Sequence, residues 1–368
     1  MSSGRVPAFV LYTAVLPAYR RFCLELVEER LGDAWAAFAG AEHLDASVRT
    51  DLPPNLYTSV SNRRWFGGRL LFQWGHWREA LGATTAVFDL NPRSVTAWCL
   101  LLARKIMRRR TLLWGHLDPR NGKSAPTARL RAAMRELADG CIVYSYESAR
   151  RLRATAPAAK VWVAPNALYP ERFLAASEGG DRRLILYVGR LESAKKPGLL
   201  LDAFAMVAET RPEWDLVMIG EGSLRDQLSA RAESLGLCDR VQFPGAIQDV
   251  SALAALYARA HCSVSPGFVG LALTQSLGFG VPMVIADREP HSPEVEMAQL
   301  GGAVFFARDS AIGLAAALQS PDLLLDASQR SALVEQVKIR YSADAMARGL
   351  VEAVTNSPAA VEFVVVLP

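Results

Sequence analysis

Several common kinds of site are missing from this chain. It has five cysteines in 368 residues, Cys23, Cys99, Cys141, Cys238 and Cys262, and no two form a C-x-x-C pair. That excludes a zinc ribbon, and their mostly apolar neighbours read as buried thiols in a reducing compartment rather than a disulfide frame. There is no Asp-x-Asp and no H-E-x-x-H, so no metal site is expected. No Ser/His/Asp or Cys/His arrangement is legible from spacing, and no nucleic-acid-binding motif occurs. The apolar stretch "VPAFVLYTAVLPAY" after Arg5 is too short to span a bilayer and lacks a small-x-small cleavage site. It reads as a buried first strand, with a secretory segment as the competing reading. The most informative absence is local: "SPGFVGLALTQSLGFGVPMV", residues 265–284, contains no Asp or Glu.

What is present is a core-rich chain of unequal halves. Half of the residues are apolar, 51%, which is ample for two domains of ordinary size. Residues 1–165 carry 24 Lys and Arg against 13 Asp and Glu, whereas residues 166–368 carry 17 against 24. The basic half suits an anionic membrane, nucleic acid or a phosphorylated substrate; solvated helix faces are the plain alternative. Short apolar runs alternate with helical patterns in two series: "AFVLYTAV", "TAVFDL", "TLLWG" and "CIVYS", then "LILYVG", "WDLVMIG", "RVQFPG", "CSVSP", "MVIA" and "AVFFA". Strand–helix alternation predicts parallel sheets covered on both faces. Two series meeting near Asn166 predict an α/β fold of two Rossmann-like, doubly wound domains facing a cleft. Ligands in such folds lie beyond the carboxyl ends of the strands.

Two stretches of the second series carry chemistry. In "YVGRLESAKKPGLLLDAF", Gly189 ends a strand, Arg190 follows, and Lys195 stands near a helix start. Two cations beside free helix amides suit a diphosphate; an ordinary surface loop is the competing reading. In the 265–284 stretch, Gly267 and Gly270 bracket a turn and a helix is expected to begin near Leu271, aiming its first amides at an anion. A mere packing turn is the alternative there.

These motifs resemble the donor-binding half of family 4 glycosyltransferases, a retaining group with the GT-B fold, over residues 160–310. "VAPNA", "GRLESAK", "IGEGSLRDQL", "RVQFPG" and "GLALTQSLGFGVPMV" follow the family's order and spacing. The resemblance implies that Arg190 and Lys195 neutralise the donor diphosphate. It places the transferred sugar and distal phosphate at the turn Gly267, Phe268, Val269, Gly270 and Leu271, and the nucleobase near Gly245 and Ala246. The family's two glutamates are replaced here by Gly267 and Gln275, and Gln275 is expected at the ribose. In the first half, "LPAYRRF", "FDLNPRSVTAW" and "LLWGHLDPR" resemble a bacterial subset that builds surface polysaccharides. They place Tyr19, Arg20, Asn91 and Arg93 on the acceptor side. The family's histidine in this region makes His116 the expected polar contact to the donor sugar, with a core role beside Trp114 as the alternative and His76 as second choice.

The resulting division is an acceptor-binding domain over 1–165, a donor-binding domain over 166–345, and a C-terminal helix and tail over 346–368 packing back towards the N-terminal domain. The expected activity is transfer of a sugar from a nucleotide-diphosphate sugar to a glycan, lipid-linked or small-molecule acceptor, without metal or other cofactor. A non-catalytic sugar-nucleotide-binding protein is the alternative. A sugar-nucleotide epimerase is disfavoured by the missing carboxylates. The expected location is cytoplasmic. The basic half, with "RKIMRRR" at 104–110, is expected to contact an anionic membrane face, and no nucleic-acid partner is expected.

Overall fold

A computed structural model describes residues 6–44, 49–118, 127–177 and 180–359. The chain divides into two units at Leu168/Tyr169 and at Tyr341/Ser342. The expected boundaries lay three or four residues away. The segment from Ser342 belongs to the first unit, where the helix Ala343–Thr355 packs on the helix Arg21–Leu31. Residues 360–368 of the expected C-terminal tail lie outside the described residues, as do Pro119 and Arg120 of "LLWGHLDPR".

The first unit contains β1 (Phe9–Thr13), β2 (Trp35–Ala39), β3 (Thr58–Ser59), β4 (Ser61–Trp65), β5 (Leu70–Trp74), β6 (Thr85–Asp89), β7 (Arg110–Trp114), β8 (Gly140–Val143) and β9 (Val161–Val163). Seven of these form a parallel sheet in the order β3-β2-β1-β6-β7-β8-β9. The first apolar stretch is therefore a central strand. Its residues alternate between two cores: Val10 and Tyr12 join one face, Leu11 the other. A strand buried on both faces is continuously apolar for this reason. The strands β4 and β5 form a separate antiparallel hairpin. Neither the hairpin nor β2 was among the expected strands.

The second unit contains β10 (Leu184–Val188), β11 (Asp215–Ile219), β12 (Val241–Gly245), β13 (Ala260–Ser265), β14 (Met283–Ala286) and β15 (Ala303–Phe306). Their order is β12-β11-β10-β13-β14-β15, all parallel. Again Ile185 and Tyr187 face one core and Leu184 and Leu186 the other. The chain winds outward from β10 in one direction and returns to β13 in the other. The carboxyl ends of β10 and β13 thus form the switch point where this fold class binds ligands. Both units are Rossmann-like and doubly wound, the GT-B architecture.

Three of the five thiols are buried, but Cys99 and Cys238 are exposed, against expectation. Among the described residues, no helix is long and apolar enough to cross a membrane.

Candidate functional site

The second unit builds its site from loops drawn tightly together. After β10, the Gly189 N–H donates to the Ile219 carbonyl at 3.0 Å, extending the ladder. Gly220 has φ +140, and a Cβ there would lie 1.9 Å from the Gly189 carbonyl oxygen, so only glycine lets the two strand ends close. Glu192 accepts from the Ser223 N–H at 2.9 Å and from the Ser223 hydroxyl at 2.7 Å, which ties the β10 loop to the β11 loop and holds the Glu192 carboxyl below its ordinary pKa. Arg190 stands on this braced loop. Its carbonyl accepts from the Tyr187 hydroxyl at 2.7 Å, while its guanidinium is exposed and makes no hydrogen bond or ion pair among the described residues. Gly245, at φ +83, and the exposed Ala246 end the neighbouring β12.

Lys195 lies in a short 3-10 turn, Ser193–Lys195, ahead of the helix Pro197–Ala208. Its ammonium donates to the Phe268 carbonyl at 2.7 Å and lies 4.2 Å from the Phe268 ring centre. The cation loop and the glycine turn are thereby one object. Gly267 explains itself in the same contact. A Cβ on it would meet the Ala194 carbonyl oxygen at 2.8 Å and the Lys195 carbonyl carbon at 3.0 Å. A glutamate cannot stand at 267 while the turn rests on the 194–195 backbone. The constraint is this close approach, not a left-handed backbone.

The turn agrees with expectation in where its helix begins and differs from it in two ways. The helix runs over Ala272–Gly278 and Leu271 is its cap, because the backbone through Gly270 and Leu271 is still a turn. The Val269 N–H is not free: it donates to His291 Nδ1 at 3.1 Å, and His291 Nε2 in turn bonds the Ala286 carbonyl at 2.9 Å. Burial lowers the His291 pKa from the ordinary histidine value; the bond to Ala286, with Glu289 and Asp287, opposes this, and Lys195 reinforces it. The neutral tautomer that accepts from Val269 is thus favoured. The Ser292 N–H returns a bond to the Val269 carbonyl at 3.0 Å. His291 was missed in the sequence because nothing in its local pattern marks a histidine that folds back 22 residues. Gln275 is only 4% exposed, and its amide donates to the Tyr169 hydroxyl at 3.0 Å. Only its carbonyl oxygen remains to accept from a ribose.

In the first unit, the expected acceptor-side residues gather at the carboxyl ends of β1, β6, β7 and β8. Arg20 is buried; it donates to the Tyr144 hydroxyl at 2.7 Å and lies 4.3 Å over the Trp114 ring. Burial pushes the Tyr144 phenol up to about 12, so it stays a neutral partner. The exposed His116 has its ring 4.8 Å from that of Tyr144, and half-buried Tyr19 lies beside Arg20. His116 is therefore not a core histidine. His76 caps the helix Trp77–Gly82 in a left-handed conformation and stacks on Phe38. Asn91 and Arg93 do structural work. Asn91 Oδ1 accepts from the Arg93 N–H at 3.1 Å, and the Arg93 guanidinium donates to the carbonyls of Arg69 and Gly68, each at 2.7 Å. The "RKIMRRR" cluster is also partly spent. Arg104 is fully buried, bonding the carbonyls of Ala80, Leu81 and Ala83, and Arg110 caps the carbonyls of Ala353 and Val354. Among the described residues, no group of His, Cys, Asp and Glu is placed to hold a metal ion.

Comparison with known proteins places this geometry. Residues 170–340, nearly the whole second unit, match the family model described as glycosyl transferases group 1. A GDP-mannose-dependent alpha-(1-6)-phosphatidylinositol dimannoside mannosyltransferase of Mycobacterium tuberculosis is 35% identical over 106 residues, covering 28% of this chain and 27% of that protein. An uncharacterized glycosyltransferase of Haemophilus influenzae is 29% identical over 182 residues, 47% of this chain and 49% of that one. The matches thus span less than half of these relatives' lengths. The crystal structure of the Anabaena protein HepE in complex with UDP shares the fold, with a TM-score of 0.67 at 15% identity, over 95% of this chain and 99% of that one. Over residues 170–340 the chain is thus similar to the glycosyl transferases group 1 family.

Proposed function

We propose that the chain transfers a sugar, with retention of configuration, from a nucleotide-diphosphate sugar to a glycan, lipid-linked or small-molecule acceptor. The observation that carries this reading is the exposed Arg190 on a braced loop at the β10–β13 switch point, beside a Lys195 hydrogen-bonded to the glycine turn. As the bond from the anomeric carbon to the distal phosphate oxygen breaks, negative charge grows on the diphosphate. Arg190, Lys195 and the amides of Gly270 and Leu271 stabilise it without a metal ion or other cofactor. The acceptor hydroxyl attacks the face that the diphosphate leaves, and the departing phosphate oxygen takes its proton. His116 is the polar contact to the donor sugar, with Tyr19 and Arg20 on the acceptor side.

The missing family glutamates fit this scheme. Gly267 is compressed against the 194–195 backbone, so the turn holds its ligand with amides and cations. The basic first half adds attraction to an anionic membrane face, where a lipid-linked acceptor would be held.

A thermal-shift panel of UDP-, GDP-, ADP- and dTDP-sugars tests the donor. The correct one raises the melting temperature by mass action. Transfer or slow hydrolysis of that donor then separates an enzyme from a binding protein. A donor that binds but is neither hydrolysed nor transferred to any acceptor leaves the non-catalytic reading standing.

A further inference from the structure

The β4–β5 hairpin is the most unusual surface of the first unit. In its register Trp65 faces Leu70, Arg63 faces Phe72 and Ser61 faces Trp74, so these six side chains share one face. The other face is spent on anchoring. Gln73 Nε2 donates to the Thr13 carbonyl at 2.9 Å, Asn62 Nδ2 to the Ala14 carbonyl at 2.9 Å, and the Leu71 N–H to the Arg93 carbonyl at 2.8 Å. Arg93 then fixes the turn through Gly68 and Arg69. The outward face is an aromatic row. Trp65 stacks on Phe72 at 5.0 Å and 4°, Phe72 lies 6.2 Å from Trp74, and Trp74 lies 5.3 Å from Trp77. Yet Trp65 is 44% exposed, Trp74 63%, and Phe66 at the tip 75%. Phe66 also holds φ +52, an uncommon conformation for a bulky residue.

The charge pattern says what this face meets. Residues 61–74 contain three arginines, Arg63, Arg64 and Arg69, and no Asp or Glu. Arg64 pairs with Glu42, whereas the guanidinium groups of Arg63 and Arg69 make no hydrogen bond or ion pair among the described residues. A sugar-binding platform needs an open ring face and polar groups aimed outward. Here Trp65 and Phe72 cover each other, and the two amides, Asn62 and Gln73, are turned inward. Exposed tryptophan and phenylalanine bordered by unpaired guanidinium groups match the bilayer interface, where aromatic rings sit at headgroup level and cations meet lipid phosphates.

We propose that the β4–β5 hairpin is the membrane-docking element of this protein, seating Trp65, Phe66 and Trp74 in the interface of an anionic bilayer with Arg63 and Arg69 on its phosphates. This deepens the membrane part of the reading above and does not depend on glycosyl transfer. It also moves the contact away from the cluster at 104–110. The hairpin bonds the start of the helix Val95–Ile106, and Lys105, Arg108 and Arg109 lie at its far end, about 18 Å away at 1.5 Å per residue. There they line a pocket of about 410 Å³ with Arg110 and Lys160.

The test is co-sedimentation with phosphatidylcholine vesicles, with and without phosphatidylglycerol, and tryptophan quenching by brominated lipid. The wild-type protein should bind the anionic vesicles and be quenched. The triple change Trp65→Ser, Phe66→Ser and Trp74→Ser should lower partitioning by about tenfold or more and remove the quenching. Lys105→Gln with Arg108→Gln and Arg109→Gln should leave the quenching intact. Circular dichroism melts check folding, and the single change Phe66→Ser serves if the triple variant is unstable. The proposal is overturned if neither vesicle binds, or if only the 105–109 changes abolish binding. It is also overturned if the aromatic changes instead alter the oligomeric state of lipid-free protein, or its retention on a glycan matrix. A sugar-nucleotide thermal shift that persists in the hairpin variants shows that the donor site is unaffected by either outcome.

Discussion

The two units use the same sheet architecture but finish its carboxyl edge in different materials. The second unit closes its edge with backbone. Glycines at 220 and 267 bring strand ends and turns into contact, Glu192 bonds Ser223, Lys195 bonds the Phe268 carbonyl, and His291 holds the Val269 amide. Little side chain stands in the way, and the exposed Arg190 guanidinium is left for a ligand. The first unit finishes its edge with side chains: Arg20 over Trp114, His116 beside Tyr144, and a hairpin of exposed rings tied down by Arg93. A backbone cradle suits a ligand with fixed charge geometry, such as a diphosphate. An edge of aromatic and guanidinium groups suits a larger partner recognised by surface. On the function proposed above, the contrast corresponds to tight, charge-dependent binding in one unit and looser docking in the other.

The contrast breaks most completely at Gly267. Overpacking costs about 1–3 kcal/mol, and in Gly267→Glu a carboxylate would also face the diphosphate. Nucleotide affinity should therefore fall by more than about a hundredfold, and calorimetry with the donor from the thermal-shift panel checks it. Affinity retained in this variant would mean that the turn does not rest on the 194–195 backbone.

Arg190→Ala should remove about 1.5–3 kcal/mol of nucleotide binding, the worth of a charge-assisted hydrogen bond. The melting temperature of the ligand-free protein should stay unchanged, since the guanidinium has no partner among the described residues to lose. Lys195→Ala should lower both, because its tie to Phe268 is structural as well. Equal affinities in wild type and both variants would remove the diphosphate from this loop.

His291 gives the cradle a pH dependence. Its folded pKa is depressed below the ordinary 6.5, so the neutral form contributes stability above that value. As the pH falls below 6.5 and through the lowered folded value, protonation removes the acceptor of the Val269 N–H and the contribution is lost. His261, buried against the Leu318 carbonyl, has a lowered pKa too and adds to the same decline. The difference in unfolding free energy between wild type and His291→Gln isolates His291. It should amount to about 1 kcal/mol at neutral pH, one hydrogen bond, and shrink towards acid. A difference constant with pH would mean that the ring does not titrate against this bond.

The smallest effect on the ligand is expected at Gln275. Its near-complete burial and its bond to Tyr169 make it mainly structural, so Gln275→Leu should cost about 1 kcal/mol of folding stability and change nucleotide affinity only a few-fold. A large loss of affinity with unchanged melting temperature would restore Gln275 to the ribose.

Much of this was legible in the sequence because it is written in local pattern. Continuous apolar strands such as "LILYVG" and "WDLVMIG" announce parallel sheets buried on both faces. The order of "GRLESAK", "IGEGS" and "GLALTQS" is enough to resemble a family. The strand β2, "WAAFA", was missed because alanine has little strand preference of its own and is held there by β1 and β3. The hairpin was missed although "FGGR" between apolar residues is a turn signal, because its flanks mix arginine with tryptophan and do not resemble a core strand.

By itself the sequence determined the fold class, the two-unit division and the candidate cations Arg190 and Lys195, since these depend on periodicity and on spacing along one chain. Only the tertiary structure decided which polar groups remain available. Arg93, Arg104, Arg110 and the Val269 amide are taken by partners distant in sequence. Gly267 is glycine because of a backbone more than 70 residues away in the chain. A buried donor or acceptor must find a partner, and which partner it finds is a property of the packed molecule rather than of its neighbours in the chain.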